Sequence, residues 1–221
     1  ILAKNGVPDD FKYLALIESG FVNVVSPAGA TGFWQFLDET GKSYGLEIND
    51  QVDERYHAEK STEAACKYLK DAYARYGSWT LAAASYNMGI AGPARQIERQ
   101  KQNSYFDLML NDETSRYVFR ILAMKEIFNH ADLYGFVIRP VDLYEPLQFS
   151  TVSVDSSITN IADFANGFGV VPAWPATRNS ICSTPCAAGA QSVSTIAKRP
   201  PDIDRSCIAA VTALDNAFAA F

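Results

Sequence analysis

The first clear pattern in the chain is an apolar stripe with helical spacing that ends in a carboxylate. Phe11, Leu14 and Ala15 occupy positions i, i+3 and i+4 of this stripe. Glu18 follows at i+7. Because Tyr13, Leu16 and Ile17 make the other side apolar as well, the pattern predicts a helix that is buried on most sides. Gly20 comes directly after it and is of the type that ends helices.

Helical spacing recurs up to about residue 138, and no convincing strand pattern interrupts it. Further helical segments are predicted from Gly32 to a fading end at Gly45, from Ser61 to Gly77, from Trp79 to Met88, from Ala94 to Arg99, from Tyr105 to Leu110, and from Asn111 to Phe128. Three residues are of the type that caps a helix N-terminus, namely Ser61, Ser78 and Asn111. Residues 1–138 are therefore predicted to form an all-α domain.

The pattern changes at Arg139. Residues 148–154 alternate and are rich in β-branched side chains, which predicts a strand, and residues 158–164 predict a short helix. Residues 164–197 contain little that could build a core, and they predict loop or weak order. Helical spacing returns at residues 207–218. Residues 139–221 are therefore predicted to be a small, poorly defined C-terminal region.

The composition is typical of a soluble globular protein, with 48% hydrophobic and 20% charged residues among 221. No apolar run is long enough to span a membrane. The net charge is −6 and no cluster of Lys and Arg occurs, so a nucleic-acid partner is excluded. The chain begins at Ile1 rather than Met, which leaves room for a preceding signal peptide or a membrane anchor in a missing N-terminal segment.

The potential metal ligands are few. Two histidines, His57 and His130, are too separated for a His-rich site. Cys66 lies within a helical pattern and is predicted to be a buried thiol. Cys182 and Cys186 are close enough to form a disulfide or to bind a metal, but no second pair completes a zinc pattern.

Glu18 is the first candidate for chemistry. A carboxylate at the end of an apolar stripe should be partly desolvated, and desolvation raises the pKa of a glutamate toward neutrality. A raised pKa suits a general acid. The alternative is a structural carboxylate whose head reaches solvent or pairs with a cation.

Four short motifs occur in order along the chain. They are Glu18-Ser19, Ser26-x-x-Gly29-Ala30-x-Gly32-Phe33-Trp34-Gln35-Phe36, Ser85-Tyr86-Asn87-Met88-Gly89, and Glu113-Thr114-x-x-Tyr117-Val118. Together they resemble the four motif blocks of the goose-lysozyme-like lytic transglycosylases, most closely the membrane-bound type D branch. The resemblance covers residues 1 to about 137 and implies a lysozyme-like helical catalytic domain.

The resemblance also implies a reaction. The family cleaves the β-1,4 bond between N-acetylmuramic acid and N-acetylglucosamine in peptidoglycan, and the C6 hydroxyl of the sugar closes onto C1 to give a 1,6-anhydro product. Ordinary glycosidases need two carboxylates. Here the N-acetyl oxygen of the substrate can stabilise C1, so Glu18 alone would serve as acid and then as base. No metal or organic cofactor is implied.

Further site residues follow from the same resemblance. Substrate-binding roles are expected for Ser19, Ser26, Gln35, Tyr86, Asn87, Tyr117 and Glu113. Simpler roles stay open for three of them: a helix cap for Ser19, core packing with a cleft-facing hydroxyl for Tyr117, and a helix-dipole partner for Glu113. The aromatic side chains beside Gln35, which are Phe33, Trp34 and Phe36, are expected to pack in the core; the alternative is an aromatic face that lines the groove.

Two other functions compete with this hypothesis. A hydrolytic muramidase would need a second carboxylate across the cleft, and the candidates are Asp53 and Glu54, although the run Asp53-Glu54-Arg55 favours a solvated, salt-bridged loop. A non-catalytic peptidoglycan-binding protein would use the groove and the tail, where residues 149–170 resemble the first half of a LysM module. Its second half is not recognisable in residues 171–221. The expected partner is a peptidoglycan glycan strand. The protein is expected to be a monomer and to lie in the periplasm or cell envelope.

Overall fold

The structure is a computed structural model, and it describes residues 1–50, 52–143, 149–154, 159–167 and 192–197. The chain divides into two units, Ile1–Ile138 and Arg139–Phe221.

The first unit is helical, as the apolar spacing predicts. Its helices are α1 (Lys12–Ser19), α2 (Asp38–Ser43), α3 (Ala58–Tyr76), α4 (Trp79–Met88), α5 (Gly92–Gln100) and α6 (Asp112–Asn129). Short 3-10 turns occur at Ala3–Asn5, Asp9–Phe11, Glu54–Tyr56, Tyr105–Asp107 and Ala131–Tyr134. Within its described residues only isolated β-bridges occur, so the prediction of an all-α domain is confirmed.

The core lies between α1, α3, α4 and α6. Helix α4 packs against both α3 and α6, and α6 also packs against α1. The buried face of α4 is built from Ala82, Ala83 and Ala84, and such small side chains allow neighbouring helices to approach closely. Leu14 of α1 is completely buried in this core. The packing therefore fixes the C-terminal end of α1, where Glu18 lies.

The helix caps correct one prediction. Ser78 and Asn111 cap α4 and α6 as expected, each accepting a hydrogen bond from a backbone N–H in the first turn. Ser61 does not cap α3, because that helix begins one turn earlier, at Ala58, with His57 as its cap. Ser61 is buried inside the helix, where its hydroxyl donates back to the His57 carbonyl.

The predicted helix start at Gly32 is also wrong. Residues 32–36 form a turn closed by a bridge between Thr31 and Phe36, and the helix begins only at Asp38. Gly32 and Gln35 both adopt left-handed backbone conformations, which an α-helix cannot contain. The apolar run at this position is therefore a buried turn rather than a helix.

Arg55 fastens this turn to the rest of the domain. Its guanidinium forms an ion pair with Asp53 (Nη2–Oδ2 2.6 Å). The Nη1 atom donates to the carbonyl oxygens of Gly29 and Phe36, both at 3.1 Å. The backbone of Gly32 packs directly against the Arg55 carbonyl. The segment that carries the second motif is thus held at both of its ends.

The second unit contains a two-stranded antiparallel sheet. Strand β1 (Phe149–Val154) pairs with β2 (Ser192–Ala197), with Phe149 opposite Ala197 and Val154 opposite Ser192. Helix α7 (Ile161–Gly167) lies between them in the chain, three residues later than predicted. The strand prediction for residues 148–154 is confirmed.

Strand β2 contradicts the prediction of loop or weak order through residue 197. The segment Val193-Ser194-Thr195-Ile196 is rich in β-branched residues, which favour a strand once a partner strand is present. The predicted helix over 207–218 and both Cys182 and Cys186 lie outside the described residues. Among the helices that are described, none has the length and apolar character needed to cross a membrane.

Replacing Gly32 should destabilise the first unit far more than replacing Gly29. Both glycines have positive φ, +78° and +80°, so an alanine is strained at either position. A Cβ at residue 32 would lie 2.1 Å from the backbone oxygen of Arg55, whereas a Cβ at residue 29 meets nothing within 4 Å. We expect Gly29→Ala to lower the free energy of unfolding by about 1 kcal/mol and Gly32→Ala by about 3 kcal/mol or more, measured by urea denaturation. Equal losses would contradict this account of the turn.

Candidate active site

Glu18 lies in the last turn of α1, which ends at Gly20 in a left-handed conformation. The side chain is partly buried. The hydroxyl of Tyr117, which is itself buried on α6, donates a hydrogen bond to Glu18 Oε1. The carboxyl group is thus held from the opposite helix, and the apolar stripe predicted for α1 is buried as expected.

The surroundings of Glu18 raise its pKa above the ordinary value of a carboxyl group. Burial is the largest cause, because it penalises the charged form. The hydrogen bond from Tyr117 and the cation of Arg120 act in the opposite direction, and the negative charge of Glu113 raises the pKa further. Burial prevails, so the group can hold a proton at a pH where an exposed glutamate has lost it.

Two tyrosines adjoin the carboxyl group. Burial raises the pKa of both Tyr86 and Tyr117 well above the ordinary value, and the negative charge of Glu18 adds to the effect. Both phenols are therefore neutral donors at physiological pH. The Tyr86 hydroxyl donates to the backbone oxygen of Trp34 at 2.8 Å, so of the two it is Tyr117 that bonds to Glu18.

A second hydrogen-bond network joins the end of α4 to the start of α6. The Asn87 amide Nδ2 donates to Glu113 Oε1 at 2.9 Å. The Thr114 hydroxyl donates to Asn87 Oδ1 at 2.7 Å. Glu113 is exposed, yet its negative charge is close enough to raise the pKa of Glu18. The third and fourth motifs therefore meet at the same place as the acid.

Three predicted site residues hold the backbone of the loop that follows α1. The Ser19 hydroxyl donates to the carbonyl of Phe33 at 2.9 Å. The Ser26 hydroxyl accepts from the backbone N–H of Ala30 at 3.0 Å. Gln35 Nε2 donates to the carbonyl oxygens of residues 32 (2.8 Å) and 24 (3.1 Å). These contacts fix the loop beside Glu18.

The two carboxylates considered for a hydrolytic mechanism are engaged elsewhere. Asp53 forms the ion pair with Arg55 described above. Glu54 is buried, bonded to the ammonium group of Lys60, and accepts the backbone N–H of Glu47 at 2.8 Å. The described part of the chain contains no group of three or more His, Cys, Asp or Glu side chains that could hold a metal ion. Cys66 is buried and free, as predicted.

The sequence missed Arg120. It lies one helical turn after Tyr117, and its Nη2 approaches the backbone oxygen of Ile17 at 3.4 Å. This places a cation against the C-terminal end of α1, where carbonyl groups lack helical partners. The i+3 spacing from Tyr117 was the available signal, because side chains three apart share a helix face.

Replacing Glu18 by Gln should stabilise the fold at neutral pH. Below the ordinary pKa of a carboxyl group, the folded and unfolded chains are both protonated at this position, and burial carries no charge penalty. As the pH rises through the raised pKa of the folded protein, Glu18 becomes a buried charge and stability is lost. We expect Glu18→Gln to unfold at a higher temperature than the wild type at about pH 7, with a gain that disappears toward about pH 4.

The exposed Glu39 on α2 supplies the control, because Glu39→Gln removes a carboxylate without relieving burial. Thermal unfolding followed by circular dichroism measures both variants. A gain for Glu18→Gln that is the same at both pH values would show that its charge is not the cause.

Comparisons with known proteins agree with these motifs. Residues 2–109 match the family model of the transglycosylase SLT domain. The chain is 30% identical over 168 residues to the membrane-bound lytic murein transglycosylase D of Escherichia coli strain K12, and equally to the protein of that name from Escherichia coli O6:H1 strain CFT073. Each alignment covers 73% of this chain but 37% of the relative, so the chain spans little more than a third of their length. The resemblance to the lytic transglycosylases is confirmed, and residues 2–109 carry the match to the transglycosylase SLT domain.

Proposed function

We propose that this protein is a lytic transglycosylase that cleaves peptidoglycan glycan strands, with Glu18 as its single general acid and base. The observation that carries the proposal is the environment of Glu18. Burial raises the pKa of its carboxyl group, and the Tyr117 hydroxyl donates a hydrogen bond to it. The domain family and the names of the two relatives support the same activity.

In the first step, protonated Glu18 donates its proton to the oxygen of the leaving sugar as the bond between C1 and that oxygen breaks. The N-acetyl carbonyl oxygen of the muramic acid stabilises C1. In the second step, the Glu18 carboxylate takes the proton of the C6 hydroxyl, and the C6 oxygen bonds to C1. The proton count balances, no water is consumed, and Glu18 ends protonated as it began.

The other site residues have two tasks in this proposal. Tyr117 and Tyr86 are neutral donors that hold the acid and the neighbouring backbone in place. Asn87 and Glu113 present a hydrogen-bonded amide and carboxylate beside the acid, where sugar hydroxyl and amide groups would bind. Ser19, Ser26 and Gln35 act on the substrate through the loop they fix, and Gln35 Oε1 has no hydrogen-bond partner within the described residues.

A hydrolytic muramidase is the second candidate function, and one observation gives it a definite form. The carboxylate whose charge reaches Glu18 is Glu113, whereas Asp53 and Glu54 are engaged in pairs of their own. A hydrolase would use Glu113 to activate water. The two functions differ in their products, because hydrolysis adds one water.

The setting of the enzyme is part of the proposal. The substrate places the protein in the periplasm or cell envelope, and we propose a monomer whose residues 1–138 form the catalytic domain and whose residues 139–221 are an accessory region. The partial likeness of residues 149–170 to a LysM module suggests glycan binding for that region. Anchoring through a preceding segment is compatible with the name of the relatives.

The products released from purified sacculi test the reaction. We expect the wild-type chain to release muropeptides that mass spectrometry finds lighter than hydrolytic products by one water. Glu18→Gln should reduce their release by at least about 100-fold, because proton transfer by a positioned carboxyl group contributes at least that much. Glu113→Gln serves as the matched carboxylate variant. It should leave anhydro products as the only products.

Three results would contradict the proposal. Release by a folded Glu18→Gln protein would remove Glu18 as the acid. Reducing-end products that vanish in Glu113→Gln would establish the hydrolase. Binding of sacculi without release of any product would favour a non-catalytic binding protein.

Removing the Tyr117 hydroxyl should shift the pH profile of product release. Its hydrogen bond lowers the pKa of Glu18, so Tyr117→Phe raises that pKa further. Because the first step needs the protonated acid, the pH above which release declines should move upward. Tyr105→Phe is the control, since this hydroxyl donates to the backbone oxygens of Thr114 and Ser115. A shift of equal size in both variants would mean that a general loosening of α6 is responsible.

A further inference from the structure

The segment that follows the proposed acid exposes an unusual amount of apolar surface. Phe21, Val22, Val24 and Val25 come directly after the end of α1 and are all exposed, Phe21 to 45%. We call residues 21–25 the Phe21 loop. Exposed apolar groups that lie together mark a binding surface more often than isolated ones do.

This loop is well fixed, so its exposure is not a matter of poor packing. The backbone oxygen of Val24 accepts the N–H of Gly32 and the Gln35 amide, both at 3.1 Å. The ring of Phe21 meets that of Phe33 edge to face, with centroids 6.2 Å apart. The carbonyl of Phe33 in turn accepts the Ser19 hydroxyl, next to Glu18. A chain of contacts thus ties the Phe21 ring to the acid.

The conformation of the loop costs stability. Phe21 has φ +57°, a left-handed value that is rare for an aromatic residue and that glycine or asparagine adopts more easily. In addition, Asn23 Oδ1 is buried and has no hydrogen-bond partner within the described residues. Strain and unpaired polar groups of this kind are concentrated at functional sites, where the conformation is needed for binding.

We propose that Phe21 binds the C–H face of a sugar ring of the glycan strand. The ring would bind at the loop that follows Glu18 and Ser19 at the C-terminal end of α1. The proposal rests on the peptidoglycan substrate of the proposed function and names a binding residue for it. A pyranose ring has faces made of C–H groups and a rim of hydroxyl groups, so it packs on an aromatic ring while its rim stays hydrogen-bonded. The exposed valines of the loop add apolar surface that suits the methyl groups of N-acetyl and lactyl substituents.

Packing alone does not explain Phe21. A residue that serves only the core would be buried, and one that serves only the turn would be glycine or asparagine. Phe21 is neither, since it is large, exposed and held in a strained conformation by its neighbours. An exposed aromatic ring that is linked to the segment of the acid through Phe33 and Ser19 suits the binding of a sugar ring.

The test measures binding separately from catalysis. In the full 221-residue chain carrying Glu18→Gln, which should bind without cleaving, Phe21 is changed to Ala, Leu or Trp, and each protein is sedimented with increasing amounts of purified sacculi. We expect Phe21→Ala and Phe21→Leu to weaken binding by about ten-fold, and Phe21→Trp to stay within about three-fold of the parent. With Glu18 intact, the same substitutions should raise the half-saturating amount of sacculi and leave the maximal rate nearly unchanged.

Phe119 provides a matched control. It is exposed to 54%, and its ring meets that of Phe106 edge to face at 5.9 Å, so Phe119→Ala removes a similar contact from the opposite face of α6. It should leave binding unchanged. If Phe21→Ala fails to fold, Phe21→Leu serves as the test, because it keeps the apolar bulk and removes the aromatic ring.

The failure of this proposal differs from the failure of the proposed function. Unaltered binding by Phe21→Ala and Phe21→Leu, in a chain that still releases anhydro products, overturns the role of Phe21 alone. Loss of binding that is equal in Phe119→Ala, or a change in oligomeric state, overturns it as well. If the wild-type chain binds sacculi through Phe21 but releases no products, the proposed enzymatic function is wrong and the binding role of Phe21 stands.

Discussion

The hydrogen bond from Tyr117 to Glu18 is the contact on which the arrangement of the site depends. It joins α6 to the end of α1 across 99 positions of sequence, and its donor is a buried side chain of the core. A carboxyl group taken from water needs such a partner, because an unpaired buried charge is costly. The same donor lowers the pKa of Glu18 while burial raises it, so the proton affinity of the acid is set by a balance between these two effects. Tyr117 therefore contributes both to the packing of the core and to the proton affinity of Glu18.

The loop between α1 and α2 depends on a different set of contacts, and these are made mostly to its backbone. Arg55 bonds to carbonyl oxygens at either side of the turn, Gly32 lies against the Arg55 carbonyl, and Gln35 bonds to the carbonyl of Val24. Contacts to backbone atoms fix the path of a loop whatever its side chains are. The exposed side chains of residues 21–25 are thereby free to meet a ligand, while the loop that carries them stays in place.

The sequence predicted the helices where a periodic pattern and a capping residue coincided. Helix α4 with Ser78 and helix α6 with Asn111 are examples, and Glu18 at the end of the stripe in α1 could be singled out from its spacing alone. The turn at residues 32–36 could not be predicted, because its apolar run resembles a helix until the contact with Arg55 imposes positive φ values. Strand β2 was missed because its partner lies some forty residues away along the chain, and pairing of this kind leaves no local signal. Arg120 was missed because its contact, to the backbone at the end of α1, depends on how α1 and α6 pack, and the i+3 spacing from Tyr117 does not show that packing.

Three features that cost stability lie within six residues of the described part of the chain. Glu18 is a carboxyl group held in an environment that opposes its charge, Phe21 has a strained backbone, and Asn23 has a buried oxygen without a partner in the described part of the chain. Elsewhere in the described residues, the buried Glu54 and Thr114 both form hydrogen bonds, and Arg55 is paired with Asp53. A fold optimised only for stability would remove such features, for example with glutamine at residue 18 and glycine or asparagine at residue 21. Their occurrence in one short segment fits the proposed glycan substrate, whose binding and proton transfer would use a partly desolvated acid and an exposed aromatic side chain.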